Sequence, residues 1–137
     1  FDIDLQAARL AEVAAWLERE PRTRTLKLGY FGTGVGTGVA LAAAAKRPAN
    51  VAAIVSRAGR PDTALRWVPR VRAPTLFIAD EPGVGPDWVE AAFRAATAEK
   101  ELVRVPSEGH CYREPAAREA LAGHAERWFL RYFTRLP

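Results

Sequence analysis

Two short stretches, "VAAIVSRAG" at 51–59 and "APTLFIAD" at 73–80, are apolar at nearly every position. A strand with one wet face alternates apolar and polar residues. A run that is apolar throughout fits a strand covered on both faces, as in a parallel sheet sandwiched between helices. Two further segments, "TLKLGYFG" at 25–32 and "ELVRVP" at 101–106, also read as strands.

Helical patterns separate these strands. "DLQAARLAEVAAWLERE" at 4–20 carries Leu5, Leu10, Val13, Trp16 and Leu17 at helical spacing, with Asp4 as the expected N-cap. "TGVALAAAAKR" opens directly from a glycine turn and stops before Pro48. "GPDWVEAAFRAATAEK" at 85–100 is amphipathic, with Asp87 near its start. "AAREALAGHAERWFLRYFTRL" closes the chain, apolar at Leu121, Trp128, Phe129, Tyr132 and Phe133, with His124 among them. "RPDTALRWVPRVR" reads as a loop with one helical turn. Alternating strands and helices predict an α/β fold. It has three layers, with a mainly parallel four-stranded sheet and helices on both faces.

The length of 137 residues suits a single domain with its own core, spanning 1–137. The chain begins with Phe and holds no Met, which suggests a piece of something longer. The one cysteine, Cys111, rules out an internal disulfide or a cysteine metal site and makes a reducing cytoplasm the default. No apolar run reaches the length of a membrane span. The formal charge of +4 raises nucleic acid as a ligand. The basic residues are scattered, however. Their densest cluster, "RWVPRVR", is broken by Trp, Pro and Val, and no nucleic-acid motif accompanies it, so no nucleic-acid partner is expected.

In a parallel sheet, ligands sit at the carboxyl ends of the strands. Three loops fall there: "GTGVGTG" after the first strand, "ADEPGVGPD" after the third and "SEGHCYREP", with His110, after the fourth. The first loop fails the dinucleotide pattern G-x-G-x-x-G. Counting from Gly32, the third glycine falls on Thr37; counting from Gly34, it falls on Val39. No Gly-Lys-Ser/Thr follows, which excludes a Walker loop. It does match the nucleophile elbow G-x-S-x-G, as Gly32-Thr33-Gly34-Val35-Gly36, at every position except the serine. The order of elbow, acid loop and histidine loop fits that reading. Glycines at a strand–helix turn also occur in any α/β protein, because the turn needs positive φ.

The blocks "LGYFGTGVGTGVALAAAAKRPANVAAIVSRAGRPD", "VRAPTLFIAD" and "VPSEGHCYREP" resemble the dienelactone-hydrolase-type branch of the α/β-hydrolases. The resemblance runs over nearly the whole chain, yet covers only the C-terminal half of such a domain. It implies hydrolysis of ester or lactone bonds by a Ser-Asp-His triad, with no cofactor or metal. Some members with these blocks sit beside phosphoribosyltransferase-like domains. By this resemblance, Gly34 takes the serine position, leaving the nucleophile vacant, and His110 takes the histidine position. The acid is either Gly83 or Asp80, with Asp80 favoured; Asp87 is expected to cap a helix instead. Val35 would supply one oxyanion N–H, and the second donor would come from earlier strands.

Without a serine, turnover should be impaired. Thr33 and Thr37 flank the turn without pointing where an elbow residue points, and Cys111 is too close to His110 in sequence to face its ring. The alternative is a non-catalytic module that binds a small ligand or serves assembly. The strand at 26–31, which opens on Leu26 and closes on Phe31, should have an open outer edge. That edge invites self-association or pairing with an N-terminal segment.

Overall fold

The computed structural model describes residues 1–81, 83, 86–106 and 115–134. Its elements are α1 (Ile3–Arg19), β1 (Leu28–Thr33), α2 (Gly36–Lys46), β2 (Val51–Arg57), β3 (Thr75–Glu81), α3 (Trp88–Ala95), β4 (Lys100–Pro106) and α4 (Pro115–Phe133). The four strands form one sheet in the order β1-β2-β3-β4, and every neighbouring pair is parallel.

A parallel sheet in sequential order, joined by right-handed crossovers, carries its connecting helices on one face. That face holds Tyr30, Ile54, Phe77 and Ala79 from the strands, packed with buried residues of α1, α2 and α3. The closing helix makes no crossover and is free to cover the other face. There Ala53, Val55, Leu76, Ile78 and Val105 meet Trp128 and Tyr132 of α4. The two unbroken apolar runs, β2 and β3, are the central strands covered on both faces.

The first helix is capped two residues earlier than Asp4 suggests. Asp2 has extended backbone angles, and its carboxylate accepts from the Leu5 N–H at 3.1 Å. Asp4 falls inside the first turn and instead pairs with Arg66 at 3.0 Å. The buried stripe of α1 is Ala7, Ala11 and Ala14, whose small side chains let α1 lie close on α2. Leu5, Val13 and Trp16 remain exposed.

The third helix ends at Ala95 rather than running to Lys100. The Lys100 ammonium donates to the Phe93 and Ala96 carbonyls at 2.7 and 2.9 Å, satisfying acceptors that a longer helix would have used itself. The loop at 60–72 holds two short 3-10 turns, Pro61–Ala64 and Val68–Arg70. The first strand starts at Leu28, so Leu26 lies ahead of it. Gly29 of β1 lies directly beneath α4. A Cβ there would come within 2.6 Å of Phe129 and 2.7 Å of Phe133, whose rings stack with centroids 5.3 Å apart. Among the described residues, no helix is long and apolar enough to cross a membrane.

Candidate active site

The chain leaves β1 at Thr33, turns at Gly34 and enters α2 at Gly36. Gly34 has φ +60°, the left-handed region that side chains avoid. A Cβ built there would meet nothing within 4 Å, so the position points into open space. The turn is tight on its other side: a Cβ at Gly32 would come within 2.6 Å of the Gly36 carbonyl. Strand, left-handed residue and helix follow one another as an elbow requires.

The Gly34 carbonyl is held by three donors. The Thr37 hydroxyl reaches it at 2.9 Å, the Thr37 N–H at 3.4 Å and the Arg60 N–H at 3.2 Å. Thr37 is fully buried, and its hydroxyl is committed to this bond. Arg60 follows the pair Ala58–Gly59, both left-handed at φ 48° and 69°. Ala58 is anchored by its N–H to the Ile78 carbonyl at 2.7 Å. Gly59 lies against the elbow, where a Cβ would come within 2.7 Å of the Gly34 Cα. The "SRAGRPD" block therefore forms the bed on which the elbow rests. These residues end the first of the blocks that carry the family resemblance, but nothing in an Ala-Gly dipeptide specifies a left-handed alanine.

A cleft of about 700 Å³ opens over the carboxyl ends of the strands. Gly34, Val35, Arg57, Asp80, Trp88 and Arg104 line it. Arg57, at the end of β2, donates to the Thr33 hydroxyl at 3.2 Å and stands 3.9 Å from the Asp80 carboxylate. Both side chains of that pair are largely shielded from solvent. The Arg60 guanidinium stacks 4.0 Å from the Trp88 ring centre and forks onto Asp62 with two 2.8 Å bonds. Arg104 of β4 reaches Asp87 at 3.1 Å. The cleft thus combines an aromatic wall with cations that are each paired to a carboxylate.

The structure brings Gly34, Val35 and Asp80 to this one cleft, with Gly83 and Asp87 also on its wall. Asp87 caps α3, as its position suggested: its carboxylate accepts from the Glu90 N–H at 2.9 Å. Burial works to raise its pKa, but the Glu90 N–H and Arg104 outweigh that and hold the carboxyl below its usual range. Val35 immediately precedes α2, so its N–H is among those a helix start leaves without an internal partner. Ser107, His110 and Cys111 lie outside the described residues. Among the described residues, no three His, Cys, Asp or Glu side chains gather into a group that could hold a metal.

No family model matches the chain. A dienelactone hydrolase from Anabaena variabilis is 44% identical and superimposes with a TM-score of 0.88, over 96% of this chain and 62% of its own. The fold is that of a dienelactone-hydrolase-like α/β-hydrolase half domain. Two more distant structures share the architecture alone. The chain matches Est1E from Butyrivibrio proteoclasticus with a TM-score of 0.77 at 12% identity, over 94% of this chain and 70% of that one. It matches acetyl xylan esterase 1 from Thermoanaerobacterium sp. with a TM-score of 0.71 at 17% identity, over 90% and 51%. Two curated Mycobacterium tuberculosis proteins, from different strains, are 42% identical over 135 residues. Both are provisionally named phosphoribosyl transferases. The match covers 95% of this chain but only 30% of theirs, so the chain spans less than a third of the length of these curated relatives.

Proposed function

We propose that the half domain carries a dienelactone-hydrolase-type cleft for small esters or lactones, whose turnover is impaired because position 34 offers no nucleophile. The observation that carries this reading is the elbow itself. Gly34 has the left-handed backbone of a nucleophile residue, and open space lies where the side chain would project. Asp80 lines the same cleft, and this reading gives it the acid's role and His110 the base's. A non-glycine residue in such a conformation costs about 1–3 kcal/mol. Glycine removes that strain together with the chemistry.

The cleft still offers binding. Trp88 and its stacked Arg60 give an aromatic and cationic wall, and the Val35 N–H is a donor for a carbonyl oxygen. This favours the second reading, a small-ligand module, as the residual activity of the same site. A titration with aryl esters and lactones tests both. It follows Trp88 fluorescence and product release together, with Trp88→Phe as the control for the other tryptophans. The expected result is saturable quenching without turnover. Repeated turnover by the unmodified chain would refute the proposal.

A further inference from the structure

A second hollow lies at the amino ends of the strands, across the sheet from the cleft. It measures about 650 Å³ and sits where the chain enters β2, β3 and β4. Ala45 and Pro48 line it ahead of β2, Pro69 ahead of β3, and Thr97 and Ala98 ahead of β4. Arg70 and Arg72 complete the wall, and no described acidic residue joins them. The parts are fixed to one another. The Thr97 hydroxyl donates to the Pro69 carbonyl at 3.0 Å, tying the last two segments together. The turn Val68–Arg70 is closed by the Arg70 and Val71 N–H groups, which donate to the Trp67 and Val68 carbonyls at 2.8 and 3.1 Å. Val71 is buried between the two arginines, so their backbone is anchored in the core while both side chains stay exposed.

The charge of these two arginines is not used within the protein. Between residues 47 and 104, Arg47, Arg57, Arg60, Arg66, Arg94 and Arg104 each pair with a carboxylate. Among the described residues, Arg70 and Arg72 have no such partner. The negative groups nearest the hollow are turned away or covered. Glu99 pairs with Arg131 of α4 at 3.4 Å, on the other face of the sheet. The carbonyls that end α3 receive the Lys100 ammonium. Beside it, the Thr97 and Ala98 N–H groups find no acceptor among the described residues. Every polar group left facing the hollow is therefore a donor.

We propose that Arg70 and Arg72 bind the phosphate of a small phosphate monoester, whose organic body rests on Ala45, Pro48 and Pro69. A phosphate monoester carries about two negative charges and three terminal oxygens at neutral pH. Two guanidiniums can each fork onto it, whereas a carboxylate has oxygens for one fork. The volume suits a small molecule, since such sites usually measure about 300–1,000 Å³. Two prolines and two alanines give the body an apolar, rigid surface that needs little ordering on binding. The site stands apart from the cleft, so the proposal holds whether or not that cleft turns over esters.

The test titrates the chain with phenyl phosphate at fixed ionic strength, followed by calorimetry and by NMR of the arginine Nε–H groups. The expected result is saturable one-to-one binding that shifts the Arg70 and Arg72 signals. Benzoate, with the same ring and a single charge, should bind about ten-fold more weakly, and so should inorganic phosphate, which has no body to rest on the prolines. Arg70→Gln and Arg72→Gln should each weaken phenyl phosphate binding about ten-fold, the worth of the charge-assisted bonds removed, with unchanged circular dichroism. Arg22→Gln removes the same charge from an exposed arginine outside the hollow and should leave binding nearly unchanged. Absence of saturable binding would overturn the proposal, as would equal affinity for benzoate or for inorganic phosphate. So would an equal loss in Arg22→Gln, or shifts at Arg57, Arg60 and Arg104 of the cleft in place of Arg70 and Arg72.

Discussion

Gly59 lies beneath Gly34 so closely that a single added carbon would collide with the elbow backbone, at 2.7 Å from the Gly34 Cα and nearer still to its carbonyl. Both residues are left-handed, and the Arg60 N–H ties the two turns together through the Gly34 carbonyl. The shape of the elbow is therefore set by the loop after β2 as well as by its own sequence.

Gly59→Ala should be among the most damaging small substitutions in this chain. A left-handed non-glycine residue costs about 1–2 kcal/mol, and overpacking against backbone adds about 1–3 kcal/mol. Urea unfolding should show a loss of about 2–5 kcal/mol. Gly36→Ala is the control. Its Cβ meets nothing within 4 Å and it begins a helix, so it should be neutral or stabilise by up to about 1 kcal/mol.

Gly29→Ala should destabilise by about 1–3 kcal/mol through collision with Phe129 and Phe133. Phe133→Leu in the same chain should recover part of that loss, because the two sites share one space. A double-mutant cycle by chemical denaturation measures the coupling. Strictly additive effects would show that α4 shifts away instead.

Asp87 combines a helix cap with an ion pair, and substitutions separate the two. Asp87→Ala removes both and should cost about 1 kcal/mol at neutral pH. Asp87→Asn keeps the cap and loses the pair with Arg104, so it should cost only a few tenths at this exposed site. The folded-state pKa of Asp87 is lowered, so its charge contributes stability above the unfolded value of about 3.9. That contribution is lost as pH falls through the folded pKa. The gap between wild type and Asp87→Asn should therefore be full at neutral pH and close in acid.

The parallel sheet was legible because β2 and β3 are apolar without alternation, a pattern that only a doubly covered strand needs. The tight turn from β1 into α2 was legible from the spacing of Gly32, Gly34 and Gly36 between a strand and a small-residue helix. The support under the elbow was not. Ala58 adopts φ 48° because the Ile78 carbonyl and the packing around the loop over-determine it, and those contacts come from distant parts of the chain. The N-cap of α1 was missed because Asp2 and Asp4 are both plausible caps, and only backbone angles distinguish them. The early end of α3 depends on Lys100 folding back onto carbonyls that the sequence assigned to the helix itself. Arg57 escaped notice as well, since its bond to Thr33 and its approach to Asp80 join three different strands.

The central claim is that position 34 is a nucleophile site without a nucleophile. The measurement that tests it most directly is labelling by a serine-directed phosphonate probe, run on the unmodified chain and on Gly34→Ser and mapped by peptide mass. The unmodified chain should take up no probe, because covalent catalysis needs a nucleophile within reach of a base. Gly34→Ser should be labelled at residue 34 and be less stable by about 1–3 kcal/mol, the strain of a side chain at φ +60°. Robust labelling of the unmodified chain, mapped to Thr33, Ser107 or Cys111, would contradict the account. So would a folded Gly34→Ser chain that takes up no probe.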